Sequence, residues 1–260
     1  MPRVLWTREE LVITLSLYFK LPFGKLSPAT PEIQELAKLI GRTKNAVNMR
    51  LCNYAACDSY ITNSGRHGLV NGISVCQPIW DEFYHNREKL NFEAELIRAK
   101  YMHVNVEKLL SYNDQVVAQS FLGEDRMSYV KTRVNQNAFR QVILENYEHK
   151  CAISGIDVPQ LLVASHIVPW AEDVEHRLDP SNGLCLSSLY DKAFDQGLIA
   201  IDPNDFSVII SKELKEHSSE EYYHKFFKSI ERLPIDLPIE YSPNPDFLQY
   251  HIDRFFSQHN

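Results

Sequence analysis

Four side chains in the second half of the chain carry chemistry: His166, Asn182, Asp191 and Asp195. A neutral imidazole, with an ordinary pKa near 6.5, accepts a proton at neutral pH. Carboxylate oxygens suit hard divalent cations, and Asp191 and Asp195 fall at i and i+4, on one face of any helix that contains them. An asparagine amide donates and accepts at once, so it can bridge backbone groups. Each residue also has an ordinary reading. A histidine after an apolar strand is usually a rim residue, Asn182-Gly183 is a common turn pair, and Phe194 within a helix is usually core.

The surrounding sequence says which elements must position them. Leu161-Leu162-Val163-Ala164 has strand composition and ends at Ser165-His166, with Pro169 just beyond. A loop rich in charge closes at Asp179-Pro180-Ser181-Asn182-Gly183. Leu184-Cys185-Leu186 then leads into a short helix, with Ser187 as expected N-cap and Gly197 just past its end. The order is strand, loop, short helix.

Three motifs run in sequence through this stretch: His166-Ile167-Val168-Pro169-Trp170, Asn182-Gly183-Leu184-Cys185-Leu186, and Asp191 followed by Phe194-Asp195 before Gly197-Leu198-Ile199. Together they resemble the HNH nuclease family over roughly residues 133–201. The resemblance implies a ββα-metal unit cutting phosphodiesters, with His166 as general base and Asn182 bracing the loop. Asp191 would be the helical metal ligand, with Asp195 as its alternative, and Mg²⁺, Mn²⁺ or another divalent cation as cofactor. Two departures accompany it. Ser165 stands where many members carry an acidic ligand, leaving it a weak or water-mediated donor. Cys151 also lacks a Cys-x-x-Cys partner, so no structural zinc is expected.

Cys151-Ala152-Ile153 is expected to form the first hairpin strand, turning at Ser154-Gly155 into the strand that ends at His166. A helix opening at Arg133 and running through Val142, Ile143 and Tyr147 should pack beneath the unit. Arg133 and Arg140 on it are equally suited to phosphate and to structural ion pairs, and Lys192 equally to phosphate and to solvent. Further on, Leu198–Ile201 and Ser207–Ile210 read as a hairpin, followed by an acidic, Tyr-rich helix near 218–230. A last helix, Asp246 to Phe256, is spaced to dock on the body or on a second subunit.

The chain has 260 residues, 44% of them apolar, and a formal charge of −7. That balance argues against whole-surface attraction to nucleic acid and requires local basic patches. Residues 1–56 provide one, with a balance of +4. Thr7-Arg8-Glu9-Glu10 has the form of a capping box opening a first helix. Helices from Thr30-Pro31 to Gly41 and from Thr43 onward resemble a helix-turn-helix, the second flanked or studded by Arg42, Lys44, Asn45, Asn48 and Arg50. Arginine and asparagine suit guanine and adenine edges, although an ordinary helical hairpin with a solvated face fits the same pattern. Asp58–Val75 reads as a β-wing or a loop, and helix is expected to resume near Gln77, with Trp80 and Phe83 in the core. Gly123-Glu124-Asp125-Arg126 is the expected linker.

The expected class is therefore α+β: a helical recognition domain at 1–123 and an HNH nuclease domain with a helical extension at 124–260. No apolar run reaches the length of a membrane span, roughly 18 residues. Met1 to Thr7 lacks a signal peptide's apolar region, and the five cysteines are irregularly spaced, so a cytoplasmic protein with reduced thiols is expected. The expected function is a restriction-type endonuclease acting on double-stranded DNA, as a homodimer if both strands are cut. The alternatives are a noncatalytic DNA-binding regulator with a degenerate HNH fold, and nicking or RNA cleavage by the same chemistry.

Overall fold

The computed structural model describes residues 5–260; the expectations resting on Met1–Val4, including the charge of Arg3, lie outside the described residues. The fold is α+β, with short strands among many helices. It divides into two compact units, Met1–Ala138 and Phe139–Asn260. That division falls inside helix α8 (Gly123–Asn146), whereas the sequence reading draws it at 123/124. The expected linker at Gly123–Arg126 is the first turn of this helix, carrying Glu124 and Asp125 where acidic side chains favour a helix N-terminus.

In the first unit, helix α1 (Arg8–Tyr18) starts on a complete capping box: the Thr7 hydroxyl accepts from Glu10 N and the Glu10 carboxylate accepts from Thr7 N. Helix α2 (Pro31–Leu39) has Pro31 in its first turn, and Gly41 takes a positive φ of 67° where the chain reverses toward helix α3 (Lys44–Cys57). Leu15, Ile33, Val47, Leu51 and Tyr54, drawn from these three helices, are fully buried together.

The stretch after Asp58 is not a wing. Asp58 accepts from Tyr60 N at 2.9 Å and from the Tyr18 hydroxyl at 2.7 Å, which nucleates the short helix α4 (Ser59–Asn63). Helix α5 (Ile73–Phe83), with Gly72 as its N-cap, starts four residues before the expected Gln77 and buries Trp80 and Phe83. Helix α6 (Arg87–Tyr101) is capped by Asn86, and helix α7 (Tyr112–Gln119) by Ser111. Ala99, Val106, Leu110 and Ala118 form a smaller cluster with Val130 and Val134 of α8.

The second unit is built on strands β1 (Leu162–His166) and β2 (Gly183–Ser187), antiparallel, with His166 opposite Gly183. Cys151–Ile153 is not the partner strand. Gly155 N donates to Cys151 O and Cys151 N to Ile156 O, so a tight turn consumes the groups a ladder would need, leaving one bond from Ala152 N to Cys185 O. Helix α9 (Ser188–Asp195) follows β2, and Gly197, at φ 65°, ends it. The Ser187 side chain makes no capping bond. Strands β3 (Ile199–Ile201) and β4 (Val208–Ile210) form the second hairpin, followed by α10 (Lys212–Lys215), α11 (Glu221–Phe226) and α12 (Pro245–Arg254).

Every residue of β2 is buried, and Gly183 lies where the strand runs under Phe139 and Ile143 of α8. A Cβ there would stand 2.4 Å from Ile143 Cδ1 and 2.7 Å from Phe139 Cζ, both in a packed core. Gly183→Ala is therefore expected to destabilise the second unit by about 1–3 kcal/mol, measured as a lowered urea midpoint at unchanged m-value.

Candidate active site

β1 delivers Ser165 and His166 as consecutive residues, and strand alternation sends their side chains to opposite faces. The His166 ring lies on Phe139, with centroids 3.8 Å apart and planes at 14°, and meets the edge of Trp170 at 5.6 Å. Its Nε2 is 2.9 Å from the Arg177 carbonyl oxygen. A carbonyl only accepts, so in the neutral ring Nε2 carries the hydrogen and Nδ1 presents the lone pair. Burial pulls the imidazole below its usual value; the Arg177 carbonyl opposes this and the Arg177 charge adds to it. The ring is neutral at physiological pH.

Asn182 is fully buried at the end of the long loop. Its Oδ1 accepts from Val168 N at 2.8 Å, and its Nδ2 donates to the carbonyls of Val168 and His176, each at 3.2 Å. Its own carbonyl accepts from Ile167 N at 3.0 Å. One side chain thus ties the exit of β1 to the far limb of the loop and to the start of β2.

On the other face of β1, Ser165 is buried and its Oγ makes no hydrogen bond of ordinary length. It lies close enough to Asp191 to favour that carboxylate's ionised form. Burial raises Asp191, outweighing Ser165 and the Lys192 charge. Asp195 is raised too, by desolvation and then by the Asp191 charge, although solvent reaches it. The two carboxylates thus crowd each other beside an unsatisfied hydroxyl. Such a set fits a hard divalent cation, which would relieve the repulsion and engage the orphaned oxygen while keeping several waters. Among the described residues no group of three or more His, Cys, Asp or Glu side chains gathers as a metal site.

Residues 151–202 match the HNH endonuclease family. No curated protein matches the chain. The HNH segment spans the turn at Cys151, β1, the loop, β2, α9 and β3, and so contains every residue of the site just described except Phe139. Among the described residues, no helix is long and apolar enough to cross a membrane.

The remaining candidates separate into engaged and solvent-facing groups. Arg140 donates to the carbonyls of Leu162 at 2.8 Å and Pro159 at 3.2 Å, fixing the entry of β1. Arg133 pairs with Asp114 at 2.6 Å. Arg42 makes a two-point pair with Glu10, at 2.7 and 2.8 Å, and lies over Trp6. Arg50 donates to Asn53 and to the Gly72 carbonyl and lies over the same indole. Asn48 turns inward, its Oδ1 buried without a partner. Lys44, Asn45 and Lys192 are exposed. His149 pairs with Glu145, and His176 with Asp173, each at 2.7 Å.

Sequence reasoning missed the contributions of Phe139, the Arg177 carbonyl and α12. Asn244 N donates to Ser181 O at 3.0 Å, Phe247 packs on the His176 ring at 5.3 Å, and the Tyr250 hydroxyl bonds the Glu172 carboxylate, so α12 braces the loop along its length. His251 of α12 stacks on Phe194 of α9 with centroids 3.7 Å apart and donates from Nε2 to the Phe194 carbonyl at 3.0 Å. The period of the last helix carried the signal for docking, but nothing in it named the surface docked upon.

Burial lowers His251 to about 4, against an ordinary 6.5. The unfolded chain therefore binds the extra proton between those values, and stability present above pH 6.5 is lost as pH falls toward 4. The loss is of order 3 kcal/mol from this group. Chemical denaturation of the full chain between pH 7 and pH 4 should show it, and His251→Phe should flatten that part of the profile.

Proposed function

We propose that the chain is a divalent-cation-dependent HNH endonuclease that hydrolyses DNA phosphodiesters, of the restriction or defence type, and works in the cytoplasm as a homodimer when both strands are cut. The observation that carries this reading is the division of labour across β1. A lone pair on His166 Nδ1 lies to one side, and the Ser165 hydroxyl with the Asp191 and Asp195 carboxylates to the other. In-line displacement at phosphorus needs its nucleophile and leaving group on opposite sides, and such a strand end supports both.

His166 Nδ1 accepts a proton from water as the water oxygen bonds to phosphorus, while the bond from phosphorus to the 3′ oxygen breaks and that oxygen takes a proton from solvent. The neutral ring is ready to accept because its other nitrogen already donates to a carbonyl. Asp191, with Ser165 and Asp195, would hold the cation, Mg²⁺ or Mn²⁺, which when bound polarises the phosphate and stabilises the departing oxygen. Asn182 touches only backbone and acts by orienting the strand end. Lys192, exposed one residue after Asp191, would meet a phosphate oxygen.

In the first unit, α2 and α3 would serve as a helix-turn-helix. Lys44 and Asn45, exposed on the first turn of α3, are the residues we assign to DNA, because Arg42 and Arg50 are spent holding Trp6 and Glu10 in place. A second reading, a DNA-binding regulator without cleavage, is favoured by the uncharged Ser165 in the donor set.

Plasmid DNA incubated with the protein and Mg²⁺ or Mn²⁺ separates the two. Cleavage by the native chain that falls by roughly 10²–10⁴ in His166→Ala supports the enzyme. DNA retention in a gel without cleavage by the native chain supports the regulator. Lys44→Ala should weaken binding similarly across sequences and reduce the salt-dependence slope by about one, with the melting temperature unchanged.

A further inference from the structure

We infer that Arg177 and Trp170 are positioning residues that select which ring nitrogen of His166 faces the water to be deprotonated. This rests on the endonuclease reading for its purpose, though not for its geometry. The His166 tautomer is set by one acceptor, the Arg177 carbonyl, which belongs to a loop of turns without regular structure. Something must hold that oxygen still.

The Arg177 side chain does so by reaching back. Its Nε donates to the Trp170 carbonyl at 2.7 Å, closing the 170–177 segment on itself, and its guanidinium lies over the Trp170 indole at 5.1 Å. That indole meets the edge of the His166 ring, whose face is covered by Phe139. The result is a closed circuit: imidazole, main-chain oxygen, guanidinium, indole, and imidazole again. Asn182 and Asp179 hold the His176 carbonyl from the far side, one peptide away.

A cationic Arg177 beside a nuclease site invites a simpler reading, direct phosphate contact, and the two differ in what lysine can replace. Lysine keeps the charge but has neither an Nε–H at that point of the chain nor a planar group to stack on indole.

Long-range ¹H–¹⁵N correlation spectra of the full-length, metal-free protein, with histidine labelled and His166 assigned through His166→Gln, read the tautomer directly at a pH where the ring is neutral. Native protein should show a protonated Nε2 and an unprotonated Nδ1 for His166. Arg177→Lys and Arg177→Met should both shift these signals toward averaged tautomers, and lower kcat for DNA cleavage ten- to a hundredfold with KM changed less than threefold. A native ring protonated on Nδ1 overturns the proposal without any variant. So does an Arg177→Lys protein with native signals and native kcat, which would mark Arg177 as a phosphate contact. If Arg177→Met does not fold, Arg177→Lys decides. Absence of cleavage by the native protein would count against the endonuclease reading alone, because the tautomer is measured without DNA.

Discussion

The geometry of the second unit depends on the Asn182 side chain. Its amide is out of contact with solvent and satisfies three main-chain groups, two on Val168 and one on His176. Without it, those groups would be buried and unpaired, at a cost of about 1–3 kcal/mol each. The loop it closes contains no helix or strand long enough to fix itself. What an asparagine offers here is reciprocity, since one planar group donates and accepts within the same plane. An aspartate of the same shape would lose the donors, and a leucine would lose both.

From that clamp the site spreads outward in two directions that use different physics. On the His166 side, precision comes from stacked rings and one carbonyl, contacts that need no charge and keep the imidazole neutral. On the Ser165 side, burial disfavours ionisation of both carboxylates and the Asp191 charge adds to it at Asp195, a local destabilisation that the well-packed hairpin and α9 beneath it can sustain. The braces from α12 reach both sides, through Phe247 and Tyr250 on the loop and His251 on α9. A helix beyond the HNH-matched segment thus helps to hold the segment's working parts together.

Much of this could be read from the sequence where a local rule governs. The capping box at Thr7, Pro31 in the first turn of α2, Gly41 and Gly197 at helix ends, and the hairpin about Asp202 each rest on chemistry confined to a few neighbouring residues. The order of His166, Asn182 and Asp191 carried the family for the same reason. Failures occurred where one segment competes for another's hydrogen bonds. Cys151–Ile153 has strand composition, yet its turn captures its own backbone groups and β2 takes its place beside β1. Gly123 resembles a breaker but begins α8, since one glycine at a helix end is cheap. Arg42 and Arg50 have the composition of a DNA-reading face, and only the fold reveals Glu10 and Trp6 as their partners. A main-chain carbonyl, such as that of Arg177, has no signature in any alphabet of side chains.

Ser165 is the position where local composition and site chemistry most nearly disagree. A carboxylate there would be buried, against an Asp191 already raised by desolvation and an Asp195 already repelled by Asp191. Three such groups without a cation would cost the folded state more than two, because each added negative charge is both desolvated and repelled. A hydroxyl contributes an oxygen without that charge, and its buried, unpaired state is the smaller penalty. The substitution therefore shifts the balance of the strand end toward a stable apo fold and a weaker hold on the ion. On the endonuclease reading, Asp191, Ser165 and Asp195 would hold the cation with less charge than a third carboxylate would add, and a substrate phosphate would supply part of the remainder.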